Sequence, residues 1–174
     1  MNTMTVTPPS ASPACGSVFK PGATLGQEVL TFLLGEEEYG IRLGCVQEIR
    51  SYQAPTRLAG SRDDLLGVID LRGEIVPLLD LRRRFALHPA RFDGATVTIV
   101  VQVDGRRVGA VADQVNEVLN LAPGQIHPLP PLPGARTGHA PPHLCGLASL
   151  AGRRVLLLDI ESLLRSSGDS TASH

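Results

Sequence analysis

The 174-residue chain has no tryptophan, and its aromatic residues number only four phenylalanines and two tyrosines. That leaves little from which to build the stacking platforms that read single-stranded nucleic acid. Excess charge is missing too. The 16 basic and 17 acidic residues leave a formal charge of −1, so neither nucleic acid nor an anionic membrane is expected as the main partner. No apolar run reaches the ~18 residues of a membrane span, which predicts a soluble protein without direct membrane insertion. Three cysteines, Cys15, Cys45 and Cys145, form an odd and widely spaced set. They argue against a disulfide framework and fit a reducing cytoplasm, with Cys45 and Cys145 acting as small buried hydrophobes.

Catalytic signatures are also missing. There is no Gly-x-Gly-x-x-Gly leading from strand to helix, no P-loop, no nucleophile elbow and no kinase signature. Ser149 lies in an expected strand with no neighbouring base. No catalytic residue and no cofactor are therefore expected. His139, His143 and Cys145, with His127 upstream, have spacing that zinc could use, but they sit in a Pro-rich stretch without a second ligand pair. They read as exposed histidines, and no metal site is expected.

Apolar residues make up 43% of the chain, ordinary for a globular domain. Residues 1–27 are rich in Pro, Ser, Thr, Gly and Ala and read as a flexible tail, as does the segment 166–174. Between them the apolar segments are short, rich in Val, Ile and Leu, and punctuated by turn residues. Ten strands are predicted: Glu28–Leu34, Glu38–Ile41, Val46–Tyr52, Leu65–Leu71, Glu74–Leu79, Thr96–Val103, Arg106–Ala112, Val115–Leu121, Leu144–Leu150 and Arg153–Leu158. Asp104-Gly105 is the strongest hairpin signal. Helices are expected only as short pieces: one turn capped by Ser61 with Asp64, another from Asp80 through Phe85, and Ile160–Arg165 capped by Asp159. The pattern is all-β.

The chain also resembles itself. Residues 66–81 lie over residues 145–160 with seven of sixteen pairs identical, at an offset of 79, and Gly40…Val46-Gln47-Glu48-Ile49 lies over Gly109…Val115-Asn116-Glu117-Val118 at an offset of 69. An insertion within Ala122–His143 accounts for the difference. Two copies of one unit of about 60 residues are implied, each too small to bury much core alone. Two five-stranded barrels side by side satisfy the edge-strand problem. The expected organisation is a single domain over 28–165, with halves 28–90 and 91–165 and strands open to exchange between them. Gly73 and Gly152 recur as turn residues, and Asp80 and Asp159 as helix caps. Glu48 recurs as Glu117, so it is in part a feature of the fold. Arg72, in contrast, stands over Ala151. The turn does not require a guanidinium, and beside an apolar run such a rigid donor suits protein recognition.

Glu37-Glu38-Tyr39-Gly40-Ile41, Val46-Gln47-Glu48-Ile49-Arg50, the run from Gly67 through Asp70-Leu71-Arg72-Gly73 to Pro77, and Gln125-Ile126-His127-Pro128 resemble the CheW family of bacterial chemotaxis coupling proteins. The resemblance runs from about Gln27 to Leu164. It implies two intertwined five-stranded SH3-like barrels and a non-catalytic, cytoplasmic adaptor, monomeric in isolation and recruited to receptor arrays at the inner membrane. The implied partners are the cytoplasmic tips of methyl-accepting chemoreceptors and the regulatory domain of the CheA histidine kinase. Adaptors of this type also serve pilus-motility and other non-flagellar chemosensory pathways. The receptor-binding positions implied are Val46, Glu48, Ile49, Gly67, Arg72, Val97 and Val115, with Arg72 and Glu48 as a charged rim. The kinase contact implied is the segment His127 to Leu132, with His127, Leu129 and Leu132 as its site residues. Cys45 and His127 depart from the basic or charged residues common in relatives, Gly44 from a larger apolar residue, and Asp70 from the usual Asn.

Overall fold

The computed structural model describes residues 27–87, 91–129 and 143–168. All ten expected strands are present within one residue at either end. They are β1 (Gln27–Leu34), β2 (Glu37–Arg42), β3 (Val46–Ser51), β4 (Leu65–Leu71), β5 (Glu74–Asp80), β6 (Val97–Val103), β7 (Arg106–Ala112) and β8 (Gln114–Leu121), then, after the two-residue β9 (Ile126–His127), β10 (Leu144–Leu150) and β11 (Arg153–Leu158). Period-two alternation is clearest in β3, where half-buried and exposed residues take turns. Two helices follow the copies, α1 (Leu81–Arg84) and α2 (Ile160–Gly168). Their caps are the expected ones. The Asp80 carboxylate accepts the Arg82 N–H at 2.9 Å, and Asp159 Oδ1 accepts that of Ser162 at 3.1 Å. Helix α2 continues three residues past Arg165.

The turn expected from Ser61 and Asp64 is not helical. Ser61 donates backward, through both its amide and its hydroxyl, to the Leu58 carbonyl. Asp64 is buried and held by Arg62 at 3.0 Å and Arg84 at 3.4 Å, so its carboxylate does not cap a helix. Cys45 is buried as expected, but it is disulfide-bonded and so is not the plain thiol that the odd cysteine count suggests.

The strands form two sheets, one ordered β8-β1-β2-β11-β10-β9 and the other β3-β6-β7-β5-β4. Numbering the strands of each copy one to five reveals the logic. Both sheets run three-one-two-five-four, and in both the one–two hairpin comes from the other copy. Thus β1 and β2 complete the sheet of β8, β10 and β11, while β6 and β7 complete that of β3, β4 and β5. The parallel pairings are the seams, Tyr39 opposite Leu156 in one sheet and Gly109 opposite Leu78 in the other. Even the irregularities repeat: the register shift between Leu65 and Gly67 recurs between Leu144 and Gly146.

Exchange puts both copies into one core. The main cluster joins Leu30, Phe32, Leu34 and Ile41 of the first copy with Ile99, Val101, Leu158 and Leu163 of the second. Tyr39 lies between Phe32 and Phe85, with ring centroids 6.3 and 5.6 Å away.

His143 at the entry to β10 holds a buried Nδ1 without a hydrogen-bond partner among the described residues. Burial lowers its pKa below the ordinary 6.5; Arg84 adds to this, and Asp159 opposes it. The unfolded chain therefore takes up a proton that the folded chain resists. Stability is expected to be intact above pH 6.5 and to fall as pH drops below 6.5 through the lowered folded-state value. Urea denaturation from pH 7.5 to 5.5 checks this: His143→Gln flattens the slope, and an equal slope in wild type and variant would refute it.

Candidate functional site

Arg72 and Gly73 form the two-residue turn between β4 and β5, with φ of +54° and +89°; Ala151 and Gly152 repeat it between β10 and β11, at +45° and +83°. Positive φ at both positions gives the turn whose twist matches that of the flanking strands. The Asp70 carboxylate fastens it by accepting the Gly73 N–H at 2.7 Å. Ala151 adopts the same backbone, so nothing in the turn calls for arginine. The Arg72 side chain is 78% exposed, and its Nη2 lies 3.4 Å from Glu48 Oε2.

Glu48 belongs to β3, the opposite edge of the five-stranded sheet from β4. The Arg72–Glu48 contact therefore brings the two edges together, and a backbone bridge does the same. Thr56, downstream of β3, exchanges two 2.9 Å hydrogen bonds with Val68 of β4. Gly67 is buried beneath that bridge. Its φ is +147°, and a Cβ there would lie 2.1 Å from the Thr56 carbonyl oxygen. Gly67 thus shapes the site from below and offers it no exposed surface.

The second copy explains why the glutamate recurs. Glu117, the counterpart of Glu48, binds Arg153 Nη1 at 2.5 Å, and Arg153 Nη2 reaches Glu38 at 2.6 Å. In each copy a third-strand glutamate grips an arginine of the hairpin between strands four and five, at the first turn residue in one and just past the turn in the other. At Glu38 burial works to raise the pKa, but hydrogen bonds from Asn116 and Arg153 outweigh it and hold the carboxyl below its ordinary 4.5.

Among the remaining expected positions, Val46, Val97 and Val115 are half-buried and pack on the main core, while Ile49 is exposed beside Glu48. Strand pairing brings Ile49 opposite Ile99 and Val97 opposite Ser51, so Val46, Glu48, Ile49 and Val97 share the β3–β6 ladder. Val115 stands on β8, in the other sheet. Arg50 adds a second guanidinium 3.5 Å from Glu48 Oε1. Val118 is exposed and was not singled out by the sequence; its position over Ile49 in the repeat is the signal that finds it. A surface that is apolar at its base with a few oriented charges has the make-up that protein-docking surfaces share.

The other expected contact lies on the six-stranded sheet. His127 pairs with Leu147, and Ile126 is buried opposite Ala148, which anchors an exposed His127 and a half-buried Leu129. Leu132 lies outside the described residues.

The family model for the CheW-like domain matches residues 28–168. The chain is 47% identical to the chemotaxis protein CheW of Klebsiella aerogenes over 145 residues, 83% of this chain and 86% of that protein. It is 32% identical to the protein FrzA of Myxococcus xanthus over 142 residues, 80% of this chain and 86% of the other. The crystal structure of the scaffolding protein TtCheW from Thermoanaerobacter tengcongensis superposes with a TM-score of 0.72 at 26% identity, covering 80% of this chain and 92% of that one. The edge-to-edge pairing at Arg72, the exchanged hairpins and these matches lead to one assignment: the chain belongs to the CheW-like family.

Proposed function

We propose that this protein is a non-catalytic, cytoplasmic adaptor that couples the tips of methyl-accepting chemoreceptors to a CheA-type histidine kinase. The observation that carries the reading is the Arg72–Glu48 contact, 3.4 Å across the edges of a curled sheet, beside an exposed Ile49. An apolar stripe on a receptor helix packs on Val46, Ile49, Val97 and Val115, and the two charges flank it. The 47% identity to a chemotaxis protein CheW favours chemotaxis over the non-flagellar alternative. Titration of the full chain with a receptor-tip helical hairpin, and separately with the kinase regulatory domain, tests the reading. Both bind and a ternary complex forms; failure of either partner to bind overturns it.

The segment after β9 takes the kinase. Leu129 is half-buried two residues past a short anchored strand. Leu129→Asp is expected to weaken kinase-domain binding at least tenfold, about 1.4 kcal/mol, while receptor-tip binding and the melt stay as in wild type. A large loss of stability with kinase binding intact would identify Leu129 as a core residue instead.

A further inference from the structure

A cavity of about 190 Å³ lies between helix α1 and the loop that joins β3 to β4. Three arginines line it, Arg57, Arg62 and Arg83, against a single acid, Asp63. Arg62 Nη2 is held 3.0 Å from the Asp64 carboxylate, and Arg83 Nη1 donates to the Asp63 carbonyl at 3.1 Å. Arg57 is exposed and forms no ion pair among the described residues. The acids behind the cavity do not cancel its charge. Asp64 is buried and shared between Arg62 and Arg84; Asp80 is fully buried against Arg82, with Arg83 Nε 3.8 Å away. With Asp113, which Arg82 also binds, these are four acids facing five arginines. The repeat provides an internal control. At the offset of 79, Arg62 and Arg83 stand over Pro141 and Ser162, so the fold requires a guanidinium at neither place.

We propose that this cavity binds a phosphoryl group, either as free phosphate or as the monoester of a small metabolite. Guanidinium forks match phosphate oxygens in pairs, and here three of them border one recess. A phosphoryl group brings close to two negative charges to these arginines, where a carboxylate brings one. The cavity is smaller than the roughly 300 Å³ at which pockets begin to enclose a drug-sized ligand. It therefore takes the charged group and leaves the rest of an ester outside. The loop that carries Arg57 is fixed on both sides, which lowers the cost of ordering it around a ligand. Thr56 is bridged to Val68, and the Ser61 hydroxyl donates to the Leu58 carbonyl at 2.8 Å.

Calorimetric titration of the full chain with inorganic phosphate, and separately with glycerol 3-phosphate, at matched ionic strength tests this. Ligand up to about 10 mM covers the millimolar affinity expected of a single charged group. Binding saturates at one site, and the backbone amide resonances of residues 57–66 shift with it. Arg57→Gln and Arg83→Gln each weaken binding by about tenfold, the loss of one charge-assisted hydrogen bond. Both side chains are exposed, so the melt is unchanged. Arg106→Gln, an exposed arginine outside the cavity, binds as wild type does. Tighter binding of glycerol 3-phosphate identifies the metabolite ester as the ligand, and equal binding identifies free phosphate. No binding of either probe overturns the proposal. So does binding indifferent to both cavity variants, or weakened as much by Arg106→Gln, which marks diffuse attraction to surface charge.

Discussion

Arg72→Glu is expected to weaken binding of a receptor-tip helical hairpin at least tenfold while leaving the melting midpoint within a few degrees. Stability is spared for two reasons. The exposed Arg72–Glu48 pair is worth only ~0–1 kcal/mol to the fold, and glutamate at φ +54° bears about the same backbone strain as arginine does. Binding is not spared, because a docked helix removes water from the rim, where a like charge beside Glu48 costs on the order of several kcal/mol. The 3.4 Å separation makes the reciprocal change informative. Adding Glu48→Arg restores an attractive pair across the sheet edges, so part of the lost affinity returns. Full recovery is not expected, since Arg50 lies 3.5 Å from the Glu48 carboxylate and would then face a second guanidinium. Calorimetric titration of wild type, both single variants and the double variant measures the coupling. Unchanged affinity for Arg72→Glu would remove Arg72 from the receptor site.

Much of this was legible in the sequence. The strands were, because short Val, Ile and Leu runs alternate with turn residues, and because a second copy repeats them. The exchange of hairpins between the copies is only an open possibility from the residues, and it is the family resemblance that implies intertwined barrels. Strands one and two carry the same apolar pattern in both copies, so exchanged and unexchanged assemblies make the same kinds of local pair, and only the long-range seams at Tyr39–Leu156 and Leu78–Gly109 distinguish them. The role of Glu48 was half legible. Its recurrence as Glu117 pointed to the fold, and the arginine each one grips appears only once the hairpin tips curl back. Arg82 was hidden in a run of three arginines, Arg82-Arg83-Arg84, that reads as a solvated helix face. What buries it comes from far along the chain.

Arg82→Met is expected to cost about 3–5 kcal/mol of folding stability, roughly 10 °C in a chain of this size. Its side chain is 2% exposed, and that of Asp80 is fully buried 3.0 Å away. Arg82 Nη1 also donates to Asp113 Oδ1 at 2.7 Å and to the Arg91 carbonyl at 2.6 Å, and the guanidinium lies 4.8 Å from the centre of the Phe92 ring. Burial alone would lower the Arg82 pKa, but the Asp80 and Asp113 carboxylates outweigh it and raise it. Asp113 in turn accepts the Gly35 N–H at 2.7 Å, so one guanidinium ties the helix closing the first copy to the corner leading into β8 and to the β1–β2 turn. Methionine keeps much of the volume and removes the charge, which strands the Asp80 carboxylate in the core. Asp113 is partly solvated and loses less. Adding Asp80→Asn to Arg82→Met removes the stranded charge and keeps a side chain able to cap α1, so a substantial part of the loss is expected to return. Arg83→Met, whose guanidinium is 41% exposed and 3.8 Å from the same carboxylate, is the control and shifts stability by no more than about 0.5 kcal/mol. Urea denaturation at pH 7 measures all three variants. A loss below about 1 kcal/mol for Arg82→Met, well short of a broken buried pair, would mean that water or a local shift solvates Asp80 and that the two copies are held together by their shared strand ladders and apolar packing without this ion pair.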